Sequence, residues 1–199
     1  IGTQMIAKGL HLPNVNLVGV ILADIGLNIP DFRTEERNFQ LMTQVAGRAG
    51  RASNEGKVII QTYNPGHFAL LCAQENNYEK FFNYERTQRK LLNNPPFGRL
   101  GKLVIENKSL KSCQEITEKI EDLLWKEFRT EPQNQQNSDH LEITSYPAYL
   151  SRLRGKYRYV ILIKSREDHS LIHKLLEKLP KEYIMDPNIK IDIDPISTT

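Results

Sequence analysis

Gln44-Val45-Ala46-Gly47-Arg48-Ala49-Gly50-Arg51 is the stretch on which the reading of this chain turns. Read as helix, it sets Gln44, Arg48 and Arg51 at i, i+4 and i+7, so an amide and two guanidiniums share one face. Such a face can clamp phosphate. Gly47 and Gly50 stand beside the arginines, although each costs a helix interior about 1 kcal/mol relative to alanine. Close approach of a backbone or a ligand would offset that loss, because glycine leaves no side chain in the way. A plainer reading has Gly50 capping an amphipathic helix, with Arg48 and Arg51 near its negative C-terminal end.

Working outward, Ile1-Gly2-Thr3-Gln4-Met5 followed by Ala7-Lys8-Gly9 reads as a strand end entering a glycine-bearing loop. That loop carries a hydroxyl, an amide and an amine, and loops of this kind cradle phosphate with backbone amides. Leu17 to Ala23 is nearly continuous apolar sequence, which predicts a parallel strand, Asn16 to Ala23, covered on both faces. Gly26, Asn28 and Pro30 predict a loop from Asp24 to Asp31. Thr34 offers an N-cap, with Glu35 and Glu36 facing the positive helix end. Phe39, Met42 and Val45 then follow at helical spacing, on the helix that delivers Gln44 and the arginines. A turn at Asn54-Glu55-Gly56 precedes a strand, Lys57 to Thr62. Residues 1–75 thus read as part of a nucleotide-binding α/β lobe.

From His67 to Leu92 the pattern is helical, and its cluster of Phe68, Leu71, Tyr78, Phe81, Phe82 and Tyr84 is read as packing rather than base stacking. Asn93-Asn94-Pro95-Pro96 stops the helix and marks a domain boundary. Residues 76–96 form a helical connector and residues 97–199 a second domain. Its expected strands are Leu100 to Glu106, Leu141 to Ser145, Tyr157 to Lys164 and Ile189 to Asp194. Its expected helices are Ser109 to Phe128 and Asp168 to Leu179. In the first helix Leu110, Cys113, Ile116, Ile120, Leu123 and Phe128 trace one face. In the last strand Ile189, Ile191 and Ile193 point inward while Lys190, Asp192 and Asp194 point outward. The order βαββαβ predicts a ferredoxin-like split βαβ sandwich, and Glu131 to Asp139, polar and rich in Gln and Asn, a connecting loop.

The fold class is therefore α/β, and its 199 residues, 39% apolar and 26% charged, suit one or two globular domains. The chain does not begin with methionine and Ile1 reads as already inside a strand, which predicts a segment of something longer. No apolar run of about 18 residues and no leader pattern occurs, so no membrane role is expected and the location is read as cytoplasmic. Cys72 and Cys113 lack metal-ligand spacing and read as two buried thiols, so no metal site is expected. His67, His140, His169 and His173 show no ligand pattern.

Net charge is only +3, but its distribution is uneven. Between Ile143 and Arg166 there is no Asp or Glu, while Arg152, Arg154, Lys156, Arg158, Lys164 and Arg166 are all basic. The connection Tyr146 to Arg158 interleaves tyrosines with cations, the composition that tracks a sugar-phosphate backbone and stacks on bases. Tyr157 and Tyr159 share parity with Ile161 and Ile163, which points them into the core. Arg152, Arg154, Lys156 and Arg158 read as contacts to nucleic acid or to an acidic partner.

Three of these stretches together resemble one family. Gln44 to Arg51 looks like motif VI of superfamily-two helicases, and Gly2 to Gly9 looks like their motif V. More narrowly, the opening GTQMIAKG, Ile29-Pro30-Asp31-Phe32 and the TQVAGRAGR stretch resemble the bacterial replication-restart (primosomal, PriA-type) helicases. Pro95-Pro96-Phe97, Arg152 to Arg158 and Asp192-Ile193-Asp194-Pro195 continue that resemblance through the C-terminal region. It implies a partial RecA-like lobe two followed by the family's C-terminal domain, within an ATP-driven 3′-to-5′ DNA helicase that restarts stalled forks.

By the same resemblance Arg48 and Arg51 are arginine fingers that reach the γ-phosphate, and Gln44 places water or couples hydrolysis to lobe closure. Gly2, Thr3, Gln4, Lys8 and Gly9 correspond to motif V, which contacts the tracked strand and relays the nucleotide state. His11 departs from the Asp that many relatives carry near the ribose, and is equally readable as a solvated loop residue. ATP with Mg²⁺ is implied, held mostly by a first lobe outside this sequence, as is zinc in an upstream module. The implied partners are forked and single-stranded DNA, the single-strand-binding protein, and primosome and helicase-loader proteins, with the protein itself a monomer. Two other readings stay open: another superfamily-two translocase acting on RNA, and a non-enzymatic module that docks a single strand or a partner.

Overall fold

A computed structural model describes residues 15–47, 49, 56–130, 141–166 and 170–199. The chain divides into two compact units, the first running to Thr87 and the second starting at Gln88. In the first, β1 (Leu17–Val20) pairs in parallel with β2 (Lys57–Ile60), Val18 opposite Val58 and Val20 opposite Ile60. Between them lie α1 (Asp24–Leu27) and α2 (Thr34–Ala46); α3 (Phe68–Gln74) follows, and then α4 (Tyr78–Leu91), whose last residues belong to the second unit. Both strands are shorter than their apolar runs suggested.

Phe39, Met42 and Val45 of α2 are buried as their spacing predicts, and the Phe39 ring stacks on Phe81 at 4.2 Å between centroids. Ala69, Leu70, Cys72 and Ala73 complete this core, with Val20 and Ile60 packed on it. The opposite face of the sheet is bare: Leu17, Ile21 and Ile59 are all more than half exposed. Parallel sheets are ordinarily covered on both faces.

Several local expectations are corrected. Asp24 to Asp31 is not all loop, because Asp24–Leu27 closes a helical turn that packs Gly26 against the Asn38 side chain. Thr34 is the first residue of α2 rather than its cap. Arg33 takes the cap position, and the Thr34 hydroxyl donates to the Ile29 carbonyl at 2.6 Å instead. His67 to Leu92 is two helices, since Asn76 at φ 51° terminates the first and donates to the Ala73 carbonyl. Asparagine tolerates this left-handed conformation better than most side chains.

The second unit contains β3 (Arg99–Asn107), α5 (Leu110–Thr130), β4 (Leu141–Leu153), β5 (Lys156–Ser165), α6 (Leu171–Glu177), α7 (Lys181–Ile184) and β6 (Ile189–Ile193). The sheet order is β4-β5-β3-β6, antiparallel throughout. Strand β5 lies between the βαβ partners β3 and β4, which is the ferredoxin-like split βαβ arrangement.

Helices α5 and α6 cover one face of this sheet, burying Leu103, Ile105, Ile161 and Ile163 against Cys113, Ile120, Leu124, Phe128 and Ile172. The buried stripe of α5 is rotated from the expected one: Thr117 and Leu124 are inside, while Leu110 is 43% exposed. Tyr157 and Tyr159 pack on this core as their parity predicts, and Gln114 donates to the Tyr159 hydroxyl at 2.8 Å. Gly101 in the first half of β3 lets α6 approach closely, because an added Cβ would stand 2.7 Å from Ile172 Cγ2.

On the face away from the helices, the last residues cross the sheet. Lys102 is buried there, its ammonium donating to the Ser197 carbonyl at 2.7 Å, while the Tyr146 hydroxyl donates to that of Thr198 at 3.3 Å. Cys72 and Cys113 are both buried free thiols. Among the described residues no helix is long and apolar enough to cross a membrane.

Candidate nucleic-acid interface

The motif-like stretch of the first unit lies largely outside the described residues. Gly2, Thr3, Gln4, Lys8, Gly9, His11, Arg48 and Arg51 all fall there. Gln44 is described, exposed on the last turn of α2 and turned away from buried Val45. Helix α2 ends at Ala46, where Gly47 caps it by donating to the Thr43 carbonyl at 3.0 Å, and Ala49 lies in a turn. The continuous helix expected over Gln44 to Arg51 is therefore corrected. Glycine's high conformational entropy favours the stop two residues after Gln44.

Near the C-terminal ends of β1 and β2, Asp24 accepts from the Thr62 hydroxyl at 2.9 Å and from the Tyr63 N–H at 3.0 Å. Desolvation opposes ionisation of this carboxyl, but the combined hydrogen bonds prevail and hold it below the usual carboxylate range. Glu35 behaves in the opposite way. Desolvation pushes it up, the adjacent Glu85 charge pushes in the same direction, and His67, 3.2 Å away, only partly offsets both. Among the described residues no group of three or more His, Cys, Asp or Glu side chains is placed to hold a metal ion.

The second basic stretch is fully described, and it is not an irregular connection. Strand β4 continues to Leu153 and turns directly into β5 through Arg154 and Gly155, with Leu153 paired to Lys156. Both turn residues have positive φ, 50° and 79°, as a two-residue type I′ hairpin requires. Glycine at the second position was the available signal in the sequence.

Below the turn the pairing is irregular. Pro147 pairs with Tyr159 and Arg152 with Tyr157, so Ala148 to Ser151 bulge out opposite Arg158 alone. Ala148 tucks under the bulge against Val104 and Val160, while Tyr149 and Leu150 project.

The four cations of this hairpin do not act as one patch. Arg158 lies against Glu106, Nε to carboxylate at 3.4 Å, and its Nη1 donates to the Leu150 carbonyl at 3.5 Å. Lys156 donates to the Asn188 side-chain oxygen at 2.7 Å. Arg152 lies over the Tyr157 ring at 5.2 Å, a cation–π contact on the helix-covered side. Arg154 stands exposed at the tip and has no hydrogen-bond or ion-pair partner among the described residues. Lys156 and Arg158 therefore brace the hairpin, exposed Arg152 rests on the Tyr157 ring, and Arg154 alone of the four has no partner among the described residues. Lys164, part of the same acid-free run, faces Glu142 across the strand pair at 3.8 Å.

Residues 90–196 match the family model described as primosomal protein N C-terminal domain. The whole chain is similar to the replication restart protein PriA of Bacillus subtilis (strain 168), 37% identical over 98% of this chain and 23% of that protein. The PriA of Rickettsia prowazekii (strain Madrid E) is 38% identical over 98% of the chain and 28% of its own length. That of Chlamydia pneumoniae is 36% identical over 100% of the chain and 26% of its own length. The chain spans about a quarter of the length of these relatives.

Proposed function

The chain belongs to the primosomal protein N C-terminal domain family, and on that premise we propose that it is the carboxy-terminal portion of an ATP-dependent, 3′-to-5′ DNA helicase that recognises stalled or branched replication forks and starts primosome assembly in the cytoplasm. One observation carries this reading. Similarity to relatives named replication restart proteins runs through 98% of the chain and so includes the first unit, beyond residues 90–196. The bare apolar face of the β1–β2 sheet supports it, because a motor lobe would cover Leu17, Ile21 and Ile59 with further segments.

In the proposed mechanism Arg48 and Arg51 reach the γ-phosphate of ATP bound mainly by another lobe. Planar guanidiniums stabilise charge spread over the transferring phosphoryl oxygens, an effect of about 10³ to 10⁵ in rate, and lysine would not reproduce their fork. Gln44, exposed on the last turn of α2, would help order the attacking water or sense closure. Gly2, Thr3, Gln4, Lys8, Gly9 and His11 would line the passage between nucleotide and tracked strand. Magnesium, held outside this segment, would neutralise the phosphates. The C-terminal unit would contact DNA, the single-strand-binding protein and loader proteins.

The test uses the full-length protein. Arg51→Ala should abolish DNA-stimulated ATP hydrolysis and fork unwinding while leaving fork binding intact. Unchanged ATP hydrolysis in that variant would refute the motor reading in favour of a docking module. Preference for duplex RNA over forked DNA in strand displacement would move the protein to the RNA translocases. This segment by itself should hydrolyse no ATP, and DNA-stimulated turnover by it would refute the assignment of the missing half-site.

A further inference from the structure

The tip of the β4–β5 hairpin combines features that the proposed motor does not use. Every residue from Tyr149 to Gly155 is exposed, and three of them, Tyr149 (53%), Leu150 (56%) and Leu153 (42%), are large apolar side chains. The projection is built rather than loose. Ala148 is buried beneath it, and the Leu150 carbonyl is held by Arg158, whose own position is set by Glu106. Bulges of this kind re-aim side chains, and here Tyr149 and Leu150 are aimed at solvent.

We propose that this tip is a finger that contacts unpaired bases of nucleic acid, Tyr149 and Leu150 lying against the bases and Arg154 meeting the backbone phosphate. The inference rests on the nucleic-acid role proposed above and specifies where it acts. Charge favours this occupant: from Ile143 to Arg166 there is no acidic residue, and Arg154 has no internal partner among the described residues. Shape favours it over an apolar peptide. A peptide's anchoring side chains fill concave pockets, whereas the tip projects into solvent on every residue. A base offers a flat π-face that any exposed ring can stack on, and phosphate neutralisation by arginine accompanies it. Inside an intact duplex that face is hidden by its stacked neighbours, so single strands and junctions are the substrates. Arg152, 5.2 Å above the Tyr157 ring, gives a second cationic surface beside the tip.

The experiment measures anisotropy of labelled single-stranded and forked DNA with the full-length protein over a range of salt. Tyr149→Ala/Leu150→Ala should weaken binding about tenfold without changing the salt slope, while Tyr149→Phe, which keeps the ring, should bind as wild type. Arg154→Ala should reduce the slope of log affinity against log salt by about 1. All three positions are exposed, so circular dichroism should be unchanged. Wild-type affinity in the double variant would overturn the finger while leaving the motor reading standing. A loss confined to binding of an acidic, apolar test peptide would overturn it in favour of a protein contact. Failure of the wild-type protein to bind DNA at all would sink both.

Discussion

Gly101→Ala tests the packing of the C-terminal unit at its tightest point. The added Cβ would stand 2.7 Å from Ile172 Cγ2 and 3.7 Å from Ile163 Cβ. The first distance falls about 1 Å short of the optimal carbon–carbon separation. Ile172 is only 1% exposed and its branched Cβ is stiff, so relief requires α6 to lift from the sheet. Overpacking of this kind costs about 1–3 kcal/mol. The lower entropy of alanine in the unfolded chain offsets about 0.4–1 kcal/mol of that, so the net loss is centred on about 1.3 kcal/mol and reaches at most about 2.6 kcal/mol. Urea denaturation followed by fluorescence of Trp125, the sole tryptophan, packed on the same core, reads this unit directly. Ile172→Ala alone should cost about 2–5 kcal/mol by leaving a cavity. The double variant should lose less than the sum of the two, because the new methyl then has room. Wild-type stability in Gly101→Ala, or strict additivity in the cycle, would refute the reasoning.

The remaining predictions concern charge and thiols. Glu106→Ala should destabilise the second unit by about 1–3 kcal/mol, because it strips the counter-charge from the largely buried Arg158 side chain. Lys190→Ala, which removes an exposed cation 3.2 Å from the same carboxylate, should change stability by less than about 0.5 kcal/mol; equal losses in the two urea titrations would contradict the account. Burial raises both Cys72 and Cys113 above the usual thiol range, so neither should react with a thiol reagent at neutral pH faster than the unit holding it unfolds. For Glu35 the folded-state pKa lies above the ordinary 4.5, so the folded form binds the proton more tightly. Its stabilising contribution is complete below that ordinary value and lost as pH rises through the raised one. The melting temperature of Glu35→Gln should therefore gain on wild type as pH increases across that window; a pH-independent difference would contradict the sign.

Much of the architecture is written in short-range pattern. The alternation of Ile189, Ile191 and Ile193 places β6, the parity of Tyr157, Tyr159, Ile161 and Ile163 assigns the buried face of β5, and Phe39, Met42 and Val45 orient α2. Each depends only on residues two to four apart. The errors share a different cause. A hydroxyl before a helical run can cap the helix, yet the Thr34 hydroxyl donates instead to the Ile29 carbonyl, brought back by the α1 turn. Between Tyr146 and Arg158, tyrosine, proline and alternating cations obscure the strand pattern, and a bulge that sets four residues of one strand against a single residue of the other has no period to detect.

Sequence alone thus determined the βαββαβ order of the second unit and the family resemblance, since each is carried by neighbours along the chain. Tertiary structure alone decided which cations are committed and which are open. Arg152, Arg154, Lys156 and Arg158 are equivalent in composition, but Glu106 claims one, Asn188 another and the Tyr157 ring a third. Those partners come from other strands and loops. A guanidinium's availability depends on what folding brings within a few ångströms of it, and for Arg154 that is open water.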